Sequence, residues 1–203
     1  MTTSEKHQAG CDDGHTLIAT LPARIATERL VLRPMEIGDC EAFARGANNP
    51  KVARMTATFV TPYLPQAAAF FVLRQPSLQR RGLARIWAIL RGSAYVGTIA
   101  VSRQEANACW GSVWEVGYWI AEPFWGMGYA SEALTAVAGK CSAPLVGRVF
   151  ADNPASVRVL EKAGFVHVGR QAEPCMERQT VVEGVVLRRV PAPAGGRGRG
   201  ARP

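Results

Sequence analysis

The apolar and polar positions of this chain change period several times, and each change marks an element. In "TERLVLRP", from Thr27 to Pro34, Leu30 and Leu32 fall on one face and Arg29, Val31 and Arg33 on the other, the alternation of a half-buried strand stopped by proline. "GDCEAFARGANN" then takes helical spacing behind Asp39 as its cap, and "LPQAAAFFVLRQP" reads as a second helix opening on Pro65. "ARIWAILRGSAYVGTIAVSR" is a hairpin, two runs rich in Ile, Val, Tyr and Trp around Arg91-Gly92-Ser93. "VWEVGYWIAEP" is a strand ended by Pro123, and a helix to about Lys140 follows. The strand "LVGRVFA", the helix "NPASVRVLEKAG" and the strands "FVHVGRQ" and "TVVEGVVLRRV" complete the pattern. Such mixing predicts an α+β (mixed α/β) sheet with helices on its faces and excludes a bundle or a sandwich.

The two ends lack this periodicity. Residues 1–22 mix Ser, Thr, Asp, Gly and His and read as a flexible leader, and the run "PAPAGGRGRGARP" at 191–203 reads as a disordered tail. Between them, residues 23–190 form one domain, because 203 residues with 48% apolar content bury one sizeable core. The net charge of +8 hints at anionic partners, yet Arg197, Arg199 and Arg202 of the tail supply three of those charges. No nucleic-acid-reading motif accompanies them, so a nucleic-acid partner is disfavoured. Cys11, Cys40, Cys109, Cys141 and Cys175 are scattered and form no CxxC pair, which points to a reducing cytosol rather than a disulfide framework or a zinc site. His7 and His15 have no spaced partners, and no metal is expected. Asp12 and Asp13 interrupt anything like an export signal, and no apolar run is long enough to span a bilayer, so a cytoplasmic protein is expected.

Candidate chemistry begins at "FWGMGYASEA", from Phe124 to Ala133, where two glycines stand one residue apart before a helix. A strand–glycine–helix junction leaves unpaired backbone N–H groups at a positive dipole end, a ready anion site. The dinucleotide fingerprint fails at Ser131, where its third glycine belongs, and the P-loop fails for want of a Gly-Lys-Ser/Thr ending. On this stretch alone a phosphate site and a tight turn without ligand stay equally open. A second motif, "ADNPASVRVLEKAGF" from Ala151 to Phe165, lies one helix and one strand downstream: Asn153 suits a helix cap, Pro154 the first helical position and Gly164 the helix end.

Together the two motifs resemble those of the GNAT superfamily of acetyl-CoA-dependent N-acetyltransferases, and more narrowly its RimJ/RimL branch of ribosomal-protein N-terminal acetyltransferases. The resemblance covers about residues 25–190 and takes in "TERLVLRP", "IWAI", "YVGTI" and "WEVGYWI". It implies a curved mixed sheet of about six to seven strands with flanking helices, in which a splayed parallel pair, here "VWEVGYWIA" and "LVGRVFA", holds acetyl-CoA. The family's pyrophosphate loop falls on Trp125, Gly126, Met127, Gly128, Tyr129 and Ala130, so that backbone N–H groups from about Met127 to Ser131 would hold the CoA pyrophosphate. Trp125 stands where the general consensus has Gln or Arg, and its side chain is expected to pack. Trp119, Ile120 and Ala121 are similar to the backbone that pairs with the pantetheine arm, Asn153 to the polar residue contacting that arm, and Ser156 to the hydroxyl near the CoA sulfur.

Amine attack on a thioester needs a proton acceptor, a held nucleophile and a stabilised oxyanion, with no covalent enzyme intermediate. Glu115 matches a position where several branches keep a base glutamate and is the first candidate; Glu173, matched across a two-residue gap, is the second. Ser156 would hydrogen-bond the leaving thiolate or relay a proton to it. The acceptor would be a protein N-terminus or a small-molecule amine, recognised by loops at about 45–65 and 171–181, in a monomer or homodimer. Trp87, Trp110, Trp114 and Trp119 read as core or cleft-wall residues, His167 as a packing or solvent-facing strand residue, and Glu132 as a favourable charge at a helix start. Cys109, Cys141 and Cys175 lack a paired histidine, which argues against a thiol nucleophile. The segment from Ser131 to Asn153 looks several residues shorter than in the branch, which keeps a degenerate, non-catalytic acyl-CoA-binding domain as the competing expectation.

Overall fold

A computed structural model describes residues 14–107 and 111–191. One mixed sheet organises them, in the order β1-β2-β3-β4-β5-β6-β8-β7. Its strands are β1 (Ile25–Ala26), β2 (Val31–Arg33), β3 (Ala84–Arg91), β4 (Ala94–Asn107), β5 (Gly111–Ile120), β6 (Leu145–Phe150), β7 (Val166–Cys175) and β8 (Thr180–Arg189). Eight strands stand where six to seven are expected; the addition is β1, whose two residues are too few to show a period. Six helices flank the sheet: α1 (Gly14–Thr20), α2 (Cys40–Ala47), α3 (Pro50–Ala53), α4 (Pro65–Arg80), α5 (Tyr129–Ala138) and α6 (Pro154–Lys162).

Alternation along the strands divides the core in two. On β5, Val116 and Ile120 join a cluster with Leu134 and Val137 of α5 and Leu160 of α6, while Trp119 joins Phe43 and Ala47 of α2, Val52 of α3 and Val72 of α4. Successive side chains of a strand point to opposite faces, so α5 and α6 cover one face and α2, α3 and α4 the other.

Three sequence expectations change. The flexible leader of residues 1–22 does not extend to 22: α1 occupies Gly14–Thr20, and Leu17, Ile18 and Leu21 are at most 2% exposed within the core that holds Trp87. These three residues make barely one apolar turn, a pattern too short to read until the sheet covers it. Residues 1–13 and the tail from 192, with Cys109 and Trp110, lie outside the described residues. Asp39 holds the N-cap position of α2 as expected, but its carboxylate makes no bond to the helix amides; it accepts from the Glu36 amide at 2.8 Å and takes both guanidinium nitrogens of Arg33 at 2.7 and 2.8 Å. An arginine on β2 outbids the helix amides for it, since a bidentate charged pair is stronger than a neutral cap. Finally, α4 runs through Pro76 to Arg80 instead of stopping there.

The only parallel pairing among the described strands joins β5 to β6, and it covers just Trp114↔Leu145 and Glu115↔Val146. Beyond it the two strands part. Each stays fixed on its outer neighbour, β5 to β4 through Ile120↔Gly97 and β6 to β8 over its whole length. The expected shortening after Ser131 does not prevent this: α5 ends at Ala138, whose carbonyl accepts from Arg189 at 2.8 Å, and Cys141 and Ala143 tuck into the core.

Candidate active site

The parting of β5 and β6 opens into a cavity of about 520 Å³ that runs from α5 and α6 through to Trp119 on the opposite face, a volume suited to a small-molecule ligand. Tyr118, Ile120, Trp125, Gly128, Asn153 and Ser156 are among its walls, and Val52 and Met55 reach it from α3 and the turn after it.

The glycine turn forms one end. Gly126 and Gly128 take φ of +76° and +78°, left-handed values that L side chains rarely adopt. Gly128 is the N-cap of α5 and brings no side chain to it, so the first-turn amides of Tyr129, Ala130 and Ser131 are left without an intrahelical partner at the positive end of the helix. The turn is braced from the segment before β2. Arg29 donates through Nη1 to the Met127 carbonyl at 3.0 Å and through Nε to Glu132 at 2.7 Å, and its guanidinium carbon lies 4.9 Å from the centre of the Tyr129 ring. Glu132, expected only to favour the helix start, is the receiver of this brace: it also accepts from the Arg29 amide at 2.9 Å and the Thr27 hydroxyl at 2.6 Å. Burial alone would raise its pKa; the hydrogen bonds from Thr27 and Arg29 overcome that and hold it below the ordinary carboxylate value.

At the end of β5 the expected backbone contacts divide. The Ala121 amide donates to the Val96 carbonyl at 2.9 Å. Antiparallel alternation then turns the Trp119 amide toward β4 as well, and only Ile120, with Tyr118, faces the gap. Trp119 and Ala121 are therefore spoken for, and Ile120 alone of the three offers its N–H. The Ile120 carbonyl accepts from the Trp125 indole at 2.7 Å, which is how that tryptophan packs while remaining 45% exposed. Trp119 is a cleft-wall residue, edge-on to Phe43 at 5.1 Å and to Phe59 at 5.5 Å.

The start of α6 forms the opposite wall. Asn153 caps it by accepting from the Ser156 amide at 3.1 Å, which occupies its side-chain oxygen and leaves its NH2 as the group available to a ligand. The Tyr118 hydroxyl lies 2.8 Å from the Ser156 hydroxyl and 3.1 Å from the Ser156 carbonyl, so its one proton has two acceptors within reach. Burial pushes the Tyr118 phenol up to about 12, against a smaller opposing effect of Ser156, so it keeps its proton at neutral pH. Tyr118 escaped the sequence reading because it stands among apolar strand residues; its place one residue before Trp119, with its side chain toward α6, was the available signal.

On the other face, the two candidate glutamates come together. Arg148 of β6 pairs tightly with Glu115, and its Nη1 stands 3.5 Å from Glu173 of β7. Glu173 lies within the strand and not in a loop, since β7 runs on to Cys175. Its Oε1 is buried and, among the described residues, has only that long ion pair with Arg148 and no well-formed hydrogen bond. Burial raises the Glu173 pKa, with the negative charge of Glu115 adding to it and Arg148 only partly opposing. Arg148 is itself raised, first by its bond to Glu115. One arginine thus satisfies Glu115 and leaves Glu173 short.

The expected acceptor segments, 45–65 and 171–181, are more ordered than loops. The first contains α3, and the second reduces to the tip between β7 and β8. The tip grips the first segment: Met176 donates to Ala57 at 3.1 Å, and Glu177 accepts from the Thr61 amide at 2.7 Å and hydroxyl at 2.6 Å. Arg178 donates to the Arg54 carbonyl at 2.8 Å and holds both oxygens of Asp152 at 2.8 and 3.2 Å, just before α6. Arg178, too, was missed, because its partners lie in two other segments.

Cys40, Cys141 and Cys175 are buried thiols, and burial pushes Cys141 up to about 11, the wrong direction for a nucleophile. Among the described residues no group of three or more His, Cys, Asp or Glu side chains is placed to hold a metal, and no helix is long and apolar enough to cross a membrane.

Comparison with known proteins agrees with this architecture. The acetyltransferase (GNAT) domain family matches residues 29–166. The uncharacterized N-acetyltransferase YoaA of Bacillus subtilis (strain 168) is 31% identical over 159 residues, 71% of this chain and 84% of that protein. Among solved structures, the microcin self-immunity acetyltransferase MccE, in complex with acetyl-CoA and AMP, superposes with a TM-score of 0.71 at 17% identity, covering 85% of this chain and 99% of that one. RimL, a ribosomal alpha-N-protein acetyltransferase in complex with coenzyme A, gives 0.67 at 21% over 84% and 97%. RimJ of Mycobacterium smegmatis, in complex with a CoA disulfide, gives 0.68 at 18% over 78% and 80%. The domain match across most of the sheet and the YoaA relative establish that this chain belongs to the GNAT acetyltransferase family.

Proposed function

We propose that the chain transfers an acetyl group from acetyl-CoA to a primary amine, a protein N-terminus or a small-molecule amine, by direct attack. The observation that carries this reading is the parting of β5 and β6, with a cavity between the strands that meets free helix-start amides and, on the α2/α3/α4 face, two carboxylates sharing one arginine. Acetyl-CoA binding in this chain is supported by the solved relatives that hold acetyl-CoA or CoA. The amides from about Met127 to Ser131 receive the pyrophosphate, with Gly126 and Gly128 clearing its approach. The Ile120 amide and the Asn153 NH2 hold the pantetheine arm, and a gap-facing amide of β5 stabilises the thioester oxyanion.

The base in this reading is Glu173, not the first candidate Glu115. A base gains from a raised pKa and needs an oxygen not firmly held by a partner; burial raises the Glu173 pKa and its contact with Arg148 is long, whereas Glu115 pairs tightly with Arg148. Glu173 takes one proton from the incoming ammonium, directly or through water; the amine nitrogen attacks the carbonyl carbon, and the C–S bond breaks as the tetrahedral intermediate collapses, the second nitrogen proton passing to the departing sulfur to give the CoA thiol. The leaving thiolate receives a hydrogen bond from Ser156, whose oxygen accepts in turn from Tyr118. Tyr118 acts through Ser156 and is a positioning residue.

Two measurements test the reading in order. Acetyl-CoA at millimolar concentration raises the melting temperature by linkage, and an unchanged melt would rule out the cofactor. Thiol release over a panel of amines and peptides then separates an enzyme from an acyl-CoA binder without turnover.

A further inference from the structure

Resting on the acetyl-transfer reading above, we infer that Gly117 determines acceptor specificity: its missing side chain leaves the slot through which the amine reaches the thioester. Gly117 sits in the middle of β5 and shares a face with Glu115 and Trp119. It follows the last β5 residue paired with β6 on that face, so it lies where the gap begins. Although β5 is a central strand, Gly117 is exposed, and no described atom beyond its chain neighbours lies within 4 Å of where its Cβ would start.

The backbone itself does not require this glycine, whose φ is not left-handed. Its counterparts show what a required glycine looks like: a Cβ at Gly97 would lie 2.1 Å from the Trp119 carbonyl oxygen, and one at Gly147 would lie 2.6 Å from Leu160. A strand-interior glycine without such a constraint weakens the strand and marks a place where a ligand comes close. The flanking groups identify the ligand's chemistry. On this face stand the carboxylates of Glu115 and Glu173 with Arg148 between them, two negative charges against one positive. The excess negative charge attracts an ammonium, and the open ground above Gly117 takes the substituents on the carbon that bears it. The slot therefore suits a branched α-amine, such as the N-terminus of a polypeptide, over an unbranched terminal amine.

The test compares the unaltered protein with Gly117→Ala and Gly117→Val on two probes, a serine-initiated tripeptide and n-butylamine, with acetyl-CoA affinity measured by calorimetry. For the tripeptide, kcat/KM falls about tenfold with Ala and further with Val, carried mainly by KM, while n-butylamine loses much less and acetyl-CoA affinity stays unchanged. The melting temperature of Gly117→Ala does not fall, which separates a blocked slot from a damaged fold. Equal losses on both probes, or undiminished transfer to the tripeptide by Gly117→Val, overturn the inference alone. Absence of transfer by the unaltered protein to any amine overturns the acetyl-transfer reading and this inference with it.

Discussion

The two faces of the sheet meet at one parting of strands but are built by different means. On the α5/α6 face, the groups offered to a ligand are mostly backbone amides, aimed by a left-handed glycine turn, a helix start and a strand end. On the α2/α3/α4 face they are charged side chains contributed by β5, β6, β7 and the β7–β8 tip, held by one another. The first arrangement suits a constant ligand with phosphates, because main-chain donors cannot be exchanged by substitution. The second suits a ligand that differs between relatives, since each side chain changes by a single codon.

The contrast breaks most visibly at Glu173. Glu173→Gln is expected to lower kcat about 10²- to 10⁴-fold while leaving acetyl-CoA affinity intact, the scale of a lost general base. If Glu115→Gln does this instead, Glu115 is the base and the reading of the charge cluster is inverted. Next in size is the opposite face. Gly128→Val forces a β-branched residue into φ near +78° and is expected to weaken acetyl-CoA binding by about tenfold or more, ~1.4 kcal/mol, in a calorimetric titration.

A pH profile sharpens the comparison further. Glu173 works deprotonated, and its folded pKa lies above the ordinary glutamate value, so kcat/KM rises with pH through that raised pKa and is lost below it. Glu115→Gln removes a negative charge that raises the Glu173 pKa and frees Arg148, so the acid limb should move to lower pH with only a modest change on the plateau. The smallest effect belongs to Tyr118→Phe. Losing one hydrogen bond to Ser156, ~0.5 to 1.5 kcal/mol, should cut kcat about two- to tenfold without weakening acetyl-CoA. A fall in affinity of the same size would mean that Tyr118 shapes the cavity and does not position the serine.

How much of this was legible in the chain follows the same division. "FWGMGYASEA" and "NPASVRVLEKAG" announce their local geometry because a positive-φ glycine, an Asn cap and a proline at the first helical position act within a few residues. The hairpin at Gly92 and the strand leading into the glycines were readable for the same reason. By contrast, the chain put Glu115 first and Glu173 second and held no signal to weigh that order, because the arginine that both glutamates face lies 33 residues from one and 25 from the other. It could not show that the Asp39 carboxylate would turn from its helix to Arg33, that Leu17 and Ile18 would find cover, or that Trp119 and Ala121 would spend their amides on β4.

The sequence by itself determined the fold class, the family likeness and the local geometry of the glycine turn and the helix starts, all of which rest on periodicity and on residues acting through near neighbours. The tertiary structure decided which carboxylate is left unsatisfied, which amides face the gap and where the sheet lies open at Gly117. Those outcomes depend on competition among groups far apart in the chain for the same partners, and that competition is settled only when the sheet brings them within a few ångströms.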